Sequence, residues 1–187
     1  TSFGFLILAL LLMVIFGLAL SKGAVPLSMI AIFDGSASSL ETTVFNQLRA
    51  PRVFLSATVG ASLAVSGAVL QGLFRNPLAD PGLIGVSGGA ALGAVAMIVF
   101  GSSLALPEVV TPYSLPVAAI LGAMVVTLFL YSFSAYYGQF SVVTVLLAGI
   151  AINALSTVGI GVFQYLSDDA QLRTLVFWMM GSFGRAN

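Results

Sequence analysis

The chain has 187 residues, 59% of them hydrophobic and 6% charged, against about 25% charged in an ordinary soluble domain; no water-soluble fold hides so much apolar surface. Six Lys and Arg balance six Asp and Glu, so no global field draws nucleic acid or an acidic partner. With neither Cys nor His, the chain has no disulfides, no thiol chemistry, none of the commonest metal ligands and no usual general base. A catalytic centre, a metal site and a bound cofactor are therefore not expected in it.

Thr1 stands where an initiator Met is expected, so the start reads as trimmed. The uncharged run over 3–20 is longer than the ~7–15 residues of a signal-peptide core, and no small-residue cleavage site follows Lys22; it is predicted to be a retained span. In the interval 21–50, Ser38 and Glu41 have capping-box spacing and Leu40, Val44 and Leu48 share a helical face, which predicts a short interfacial helix ended by Pro51. Further uncharged runs cover 53–74, 82–100, 113–137 and 140–166. The first of these makes a helix of about 33 Å against a hydrocarbon core of about 30 Å. Backbone in lipid must satisfy itself, and these runs lack the two-residue alternation of a barrel strand, so helices are predicted.

The connection Arg75, Asn76, Pro77, Leu78, Ala79, Asp80, Pro81, Gly82 breaks the chain twice, and Asp80 can cap the third span with Pro81 at its first helical position. Asp168 and Gln171 again have capping-box spacing, and Asp169 precedes Arg173 by four, so a helix is expected to begin near residue 169. Its apolar part, Thr174 to Asn187, is too short to span. The fold class is all-α: a polytopic transmembrane helical bundle of five complete spans plus the start of a sixth, in one transmembrane domain over 1–187 expected to be truncated at its C-terminal end.

Ser56, Gly60, Ala64, Ala68 and Gly72 recur every four residues on the second span, as do Gly85, Gly89 and Gly93 on the third. Such stripes let backbones approach closely and predict a tight bundle, with a substrate-facing surface as the other reading. Gly149, Asn153, Thr157 and Gly161 share a face of the fifth span. Asn153, near mid-membrane, needs either a partner helix or a translocation path. No Asp, Glu, Lys, Arg or His interrupts the five uncharged runs, whereas proton-coupled carriers usually need such groups. The energy for transport is therefore expected from elsewhere, although sodium coupling through backbone carbonyls would escape this argument.

The stretch from Arg49 to Met97 closely resembles the second and third spans of FecCD-type permeases, which import iron-siderophores, haem and cobalamin. Its R-x-P-R entry (Arg49, Arg52), its S-G-A-x-x-Q segment (Ser66 to Gln71) and its R-N-P-L-A-D-P-G-L-x-G-V-S connector fall in family order. So do L-L-A-G (Leu146 to Gly149) and F-W-M-M-G-S (Phe177 to Ser182). The resemblance implies a permease subunit of an ATP-driven importer, with ten spans and about twice this length, in a bacterial inner membrane. Its implied partners are membrane lipid, a second permease subunit (homodimer or paired heterodimer), two cytoplasmic ATPases that bind ATP and Mg, and a periplasmic or lipid-anchored binding protein. The ATPase-contacting helices of the family lie beyond the sixth span. The resemblance further implies that Arg49 and Arg52 lie on the outer face and meet glutamates of the binding protein, where the plain alternative is interfacial snorkelling. It places an inner gate at Ser141, Val142 and Val143, which are otherwise an ordinary helix start. Two valines depart from the small hydroxyl residues of the cobalamin permease, so the expected order of substrates is ferric siderophore, haem, cobalamin.

Charge bias opposes this orientation, because Lys22, Arg49 and Arg52 fall in the first loop and only Arg75 in the second. The family's orientation is preferred, since a docking role explains an outside surplus. Two rivals remain: a secondary carrier built from five-span inverted repeats, and a purely structural membrane subunit.

Overall fold

The computed structural model describes residues 2–136 and 141–184 and falls into two compact units, Thr1–Ser62 with Ser182–Asn187, and Leu63–Gly181. Five helices are long and apolar enough to cross a membrane, and no strand occurs among the described residues.

In the first unit, α1 (Ser2–Ser21) is apolar on every side, as a lipid-facing span should be. The short α2 (Met29–Asp34) is capped by Ser28, and the Ser36 hydroxyl and backbone N–H hold the Asp34 carboxyl below the usual carboxylate range. The predicted capping box forms: Ser38 and Glu41 exchange bonds at the start of α3 (Ser39–Thr43).

Contrary to expectation, Pro51 does not end this helix. A π-helical stretch, Val44–Arg49, joins α3 to α4 (Ala50–Phe74) in one continuous helix of 36 residues. A proline lacks an N–H and its ring collides with the carbonyl four residues back. The wider π turn, in which the Ala50 N–H reaches back five residues to Phe45, shifts the carbonyl ladder where Pro51 enters. At about 54 Å the helix exceeds the hydrocarbon core of about 30 Å, so Arg49 and Arg52 have turns to occupy outside it. Phe16 of α1 meets Phe54 of α4 edge to face at 5.2 Å.

The second unit is built around α5 (Val86–Phe100), which packs on α6 (Thr111–Tyr136), α7 (Val142–Leu166) and α8 (Asp169–Met180). Glycine makes the closest approaches. A Cβ on Gly89 would come 2.7 Å from the Gly122 carbonyl oxygen, one on Gly93 would press into the Ala118 carbonyl, and one on Gly149 would come 2.7 Å from the Ile84 Cα. The α5 glycines thus sit where backbones approach closely, whereas a Cβ on Gly60 or Gly72 of α4 meets nothing within 4 Å among the described residues.

Val95, Val99 and Leu175 form one core cluster, flanked by Ile160 and Phe163; Phe74, Ala79 and Val145 form another, flanked by Leu70, Ile84 and Val142. The predicted start of α8 forms as a capping box between Asp168 and Gln171, and the Gln171 amide also donates to the Val99 carbonyl at 3.1 Å, fastening α8 to the end of α5.

Candidate functional site

The connector is set by two Asx-Pro turns. α4 ends with Arg75 in left-handed backbone at φ 48°, its N–H on the Gly72 carbonyl and the Asn76 N–H on Gln71, the paired bonds of a Schellman end. The Asn76 carboxamide oxygen accepts from the Leu78 N–H at 2.9 Å, with Pro77 between them. The Asp80 carboxylate repeats this on the Gly82 N–H at 2.6 Å, with Pro81 between. Asp80 thereby caps a 3-10 turn, Pro81–Ile84, rather than α5 itself, and the chain enters α5 only after Gly85 at φ 82°. Gly85 is required twice over: its backbone is left-handed, and a Cβ would come 3.0 Å from the Gly149 carbonyl oxygen.

The third span thus starts later than the run 82–100 suggests: α5 begins at Val86 and continues through a 3-10 turn, Gly101–Leu104, as a stretch of 19 residues long and apolar enough to cross a membrane. The turn before it, Pro81–Ile84, packs against the middle of α7. The Asn153 amide, close to the midpoint of that 25-residue helix, donates to the Gly82 carbonyl at 2.9 Å. Irregular backbone at such depth is tolerated only where protein or a wet cavity satisfies it, and Asn153 supplies the donor. Its other side-chain atom crowds Gly88, where a Cβ would fall 2.6 Å from Oδ1. Asn153 thus has a hydrogen-bond partner on the neighbouring turn. Thr157, also read as path-lining, bonds the Asn153 carbonyl of its own helix at 2.8 Å.

At the gate positions, the Ser141 hydroxyl caps α7 by accepting from the Thr144 N–H, Val142 packs against the Phe74 cluster, and Val143 is exposed. The connection before them, 137–140, lies outside the described residues. Nearby, an open cavity of about 510 Å³ is lined mainly by apolar side chains, among them Leu70, Phe74, Leu130 and Val145, with Thr127 and Tyr131 on one side.

The two arginines differ. Arg49 is half-buried, its guanidinium on the Leu20 (3.3 Å), Ser21 (2.9 Å) and Val25 carbonyls; Arg52 is exposed and donates to the Gly184 carbonyl at 3.0 Å. Sequence reading passed over Gly122 and Gly23. Gly122 had a signal, its four-residue spacing from Ala118; Gly23 meets Arg49 far along the chain, which leaves no local pattern. Gln171 was read as a capping-box residue, but its bond to the Val99 carbonyl was not.

Five apolar helices, glycine-tight packing and a turn held at mid-helix by a buried-side amide define a multi-pass membrane protein of the transporter type. The chain belongs to the FecCD transport family, whose model matches residues 10–187. It is 44% identical over 98% of its length to the hemin transport system permease protein HmuU of Yersinia pestis, covering 53% of that protein. It is 43% identical to the vitamin B12 import system permease protein BtuC of Escherichia coli over 74% of this chain and 40% of that one. A solved structure described as an inward-facing conformation of a metal-chelate type ABC transporter matches with TM-score 0.81 at 34% identity, over 100% of this chain and 56% of that one. The chain thus spans about half the length of these relatives.

Proposed function

We infer that this chain is the N-terminal part of the membrane-spanning permease subunit of a binding-protein-dependent, ATP-driven importer in a bacterial inner membrane. The observation that carries the reading is likeness to a hemin permease along nearly the whole chain, 44% over 98%. The cobalamin permease likeness covers 74%. That difference moves hemin ahead of a ferric siderophore and of cobalamin as the first substrate to test.

The subunit performs no chemistry of its own. It pairs with a second permease subunit, with two cytoplasmic ATPases that bind ATP and Mg, and with an outer binding protein that delivers the cargo. Loaded receptor outside and ATP inside each stabilise the state they contact better, and so switch the path between outward-open and inward-open forms. Arg52, exposed and with donors to spare, suits a carboxylate of the binding protein. Val143, exposed at the start of α7, suits an apolar gate that closes by dewetting, with Ser141 and Val142 setting its helix.

The turn at the middle of α7 alone would also suit a secondary carrier, where broken helices are common; family membership weighs against that. The test is to purify the full-length subunit with its ATPase, reconstitute both, and add hemin-loaded binding protein. ATP hydrolysis is expected to rise several-fold. Hydrolysis indifferent to any loaded binding protein would contradict the reading.

A further inference from the structure

The two arginines of the R-x-P-R entry are three residues apart, yet their surroundings give them different work. α1 ends at Ser21 with no basic residue in its last turn. A helix end leaves its last carbonyls without intrahelical partners and a partial negative charge at its terminus. The Ser21 hydroxyl and the Lys22 N–H both serve the Leu18 carbonyl. The Leu20 and Ser21 carbonyls are served from far along the chain by the Arg49 guanidinium, which also takes the Val25 carbonyl beyond the helix. Gly23 is the floor of this seat, because a Cβ there would lie 2.5 Å from Nη2 and 2.8 Å from Cζ of Arg49. The π-helical stretch ends at Arg49 and packs on α1.

We propose that Arg49 is a positioning residue, a C-terminal cap supplied in trans to α1 that fixes the outer segment 21–25, and that Arg52 alone of the pair meets the binding protein. The second half rests on the docking reading above. Three backbone carbonyls surround the Arg49 guanidinium, and it is half-buried. A carboxylate arriving from outside would have to displace those carbonyls. Arg52 is exposed and holds one carbonyl, so most of its five donors stay free.

The test uses the full-length permease in its reconstituted complex, with Arg49→Gln, Gly23→Ala, Arg52→Gln and the native chain compared. Two quantities are read: amide hydrogen exchange across residues 18–25, and the salt dependence of binding-protein affinity. Arg49→Gln and Gly23→Ala are both expected to speed exchange at residues 21–25 by about tenfold, since charge-assisted bonds are lost, while the salt dependence stays native. Arg52→Gln is expected to leave exchange native and to flatten the salt dependence. Gly23→Ala unseats the guanidinium without altering Arg49, so it carries the test if Arg49→Gln fails to insert. Native exchange in Gly23→Ala would overturn the capping role. A flattened salt dependence in Arg49→Gln equal to that of Arg52→Gln would overturn the division of labour. If neither arginine variant alters affinity or its salt dependence, docking through this motif is wrong, and the exchange result still decides the cap.

Discussion

Asn153 is the residue on which the most local structure depends. Its amide donates to the Gly82 carbonyl at 2.9 Å, beside a longer 3.4 Å bond from the Gly85 N–H of the 3-10 turn. Interhelical bonds of this kind contribute about 0.6 to 1.7 kcal/mol in membranes, so Asn153→Ala should lower stability in detergent by about that much. Asn153→Asp should cost more, because it sets an acceptor against an acceptor. Equal, native-like unfolding midpoints for both would sink the clamp. Arg75 offers the opposite sign. It holds left-handed backbone at φ 48°, a conformation costing a non-glycine residue about 1 kcal/mol or more, so Arg75→Gly should raise stability by a similar amount. A loss of stability would mean that the Arg75 side chain has a partner that outweighs the strain.

At the scale of elements, α5 is the hub, and glycines set its distances. Gly122→Ala should be severe, about 2 kcal/mol or more, since the new methyl falls against the Gly89 backbone and overpacked cores resist. Gly161→Ala, with nothing within 4 Å, should be neutral or mildly favourable by helix propensity. Thermal unfolding of both variants in one detergent checks the contrast. Most of this layout was legible in sequence, because uncharged runs between charges mark spans whatever their packing, and the capping boxes at Ser38 and Asp168 are local patterns. Two things were not. Pro51 reads as a helix stop because the rule assumes α-helical ladder geometry, and a π turn changes it. The third helix reads as starting at Pro81 because Asp80, Pro81 and Gly82 fit a helix start; only the contact of Gly82 and Gly85 with α7, some seventy positions along the chain by the Asn153 bond, reveals the 3-10 turn before Val86. Likewise the R-x-P-R motif named both arginines together, while their partners, the α1 carbonyls for one and Gly184 for the other, lie far off in sequence.

At the scale of the molecule, function turns on orientation and energy supply. The few charges favour the first loop inside, by Lys22, Arg49 and Arg52 against Arg75. Arg49 engaged by backbone carbonyls is a capping group as much as a topogenic one, which weakens that vote. In a full-length permease freed of any other cysteine, a Ser36→Cys thiol in the α2–α3 loop should react with a membrane-impermeant maleimide from the outer side of oriented vesicles; labelling only from the inner side would reverse the topology and with it the docking role of Arg52. Energy supply is the central matter. The charged residues of the described spans gather at the end of α4 nearest Arg49, and the runs through the membrane hold none, which fits the proposal that another subunit powers the motion. The most direct measurement is hemin uptake into vesicles holding the full-length permease with its binding protein inside or outside as required, with and without the ATPase. Concentrative uptake is expected only when ATPase and ATP are both present. Uphill accumulation by the permease without an ATPase, driven by a sodium or proton gradient, would contradict the account.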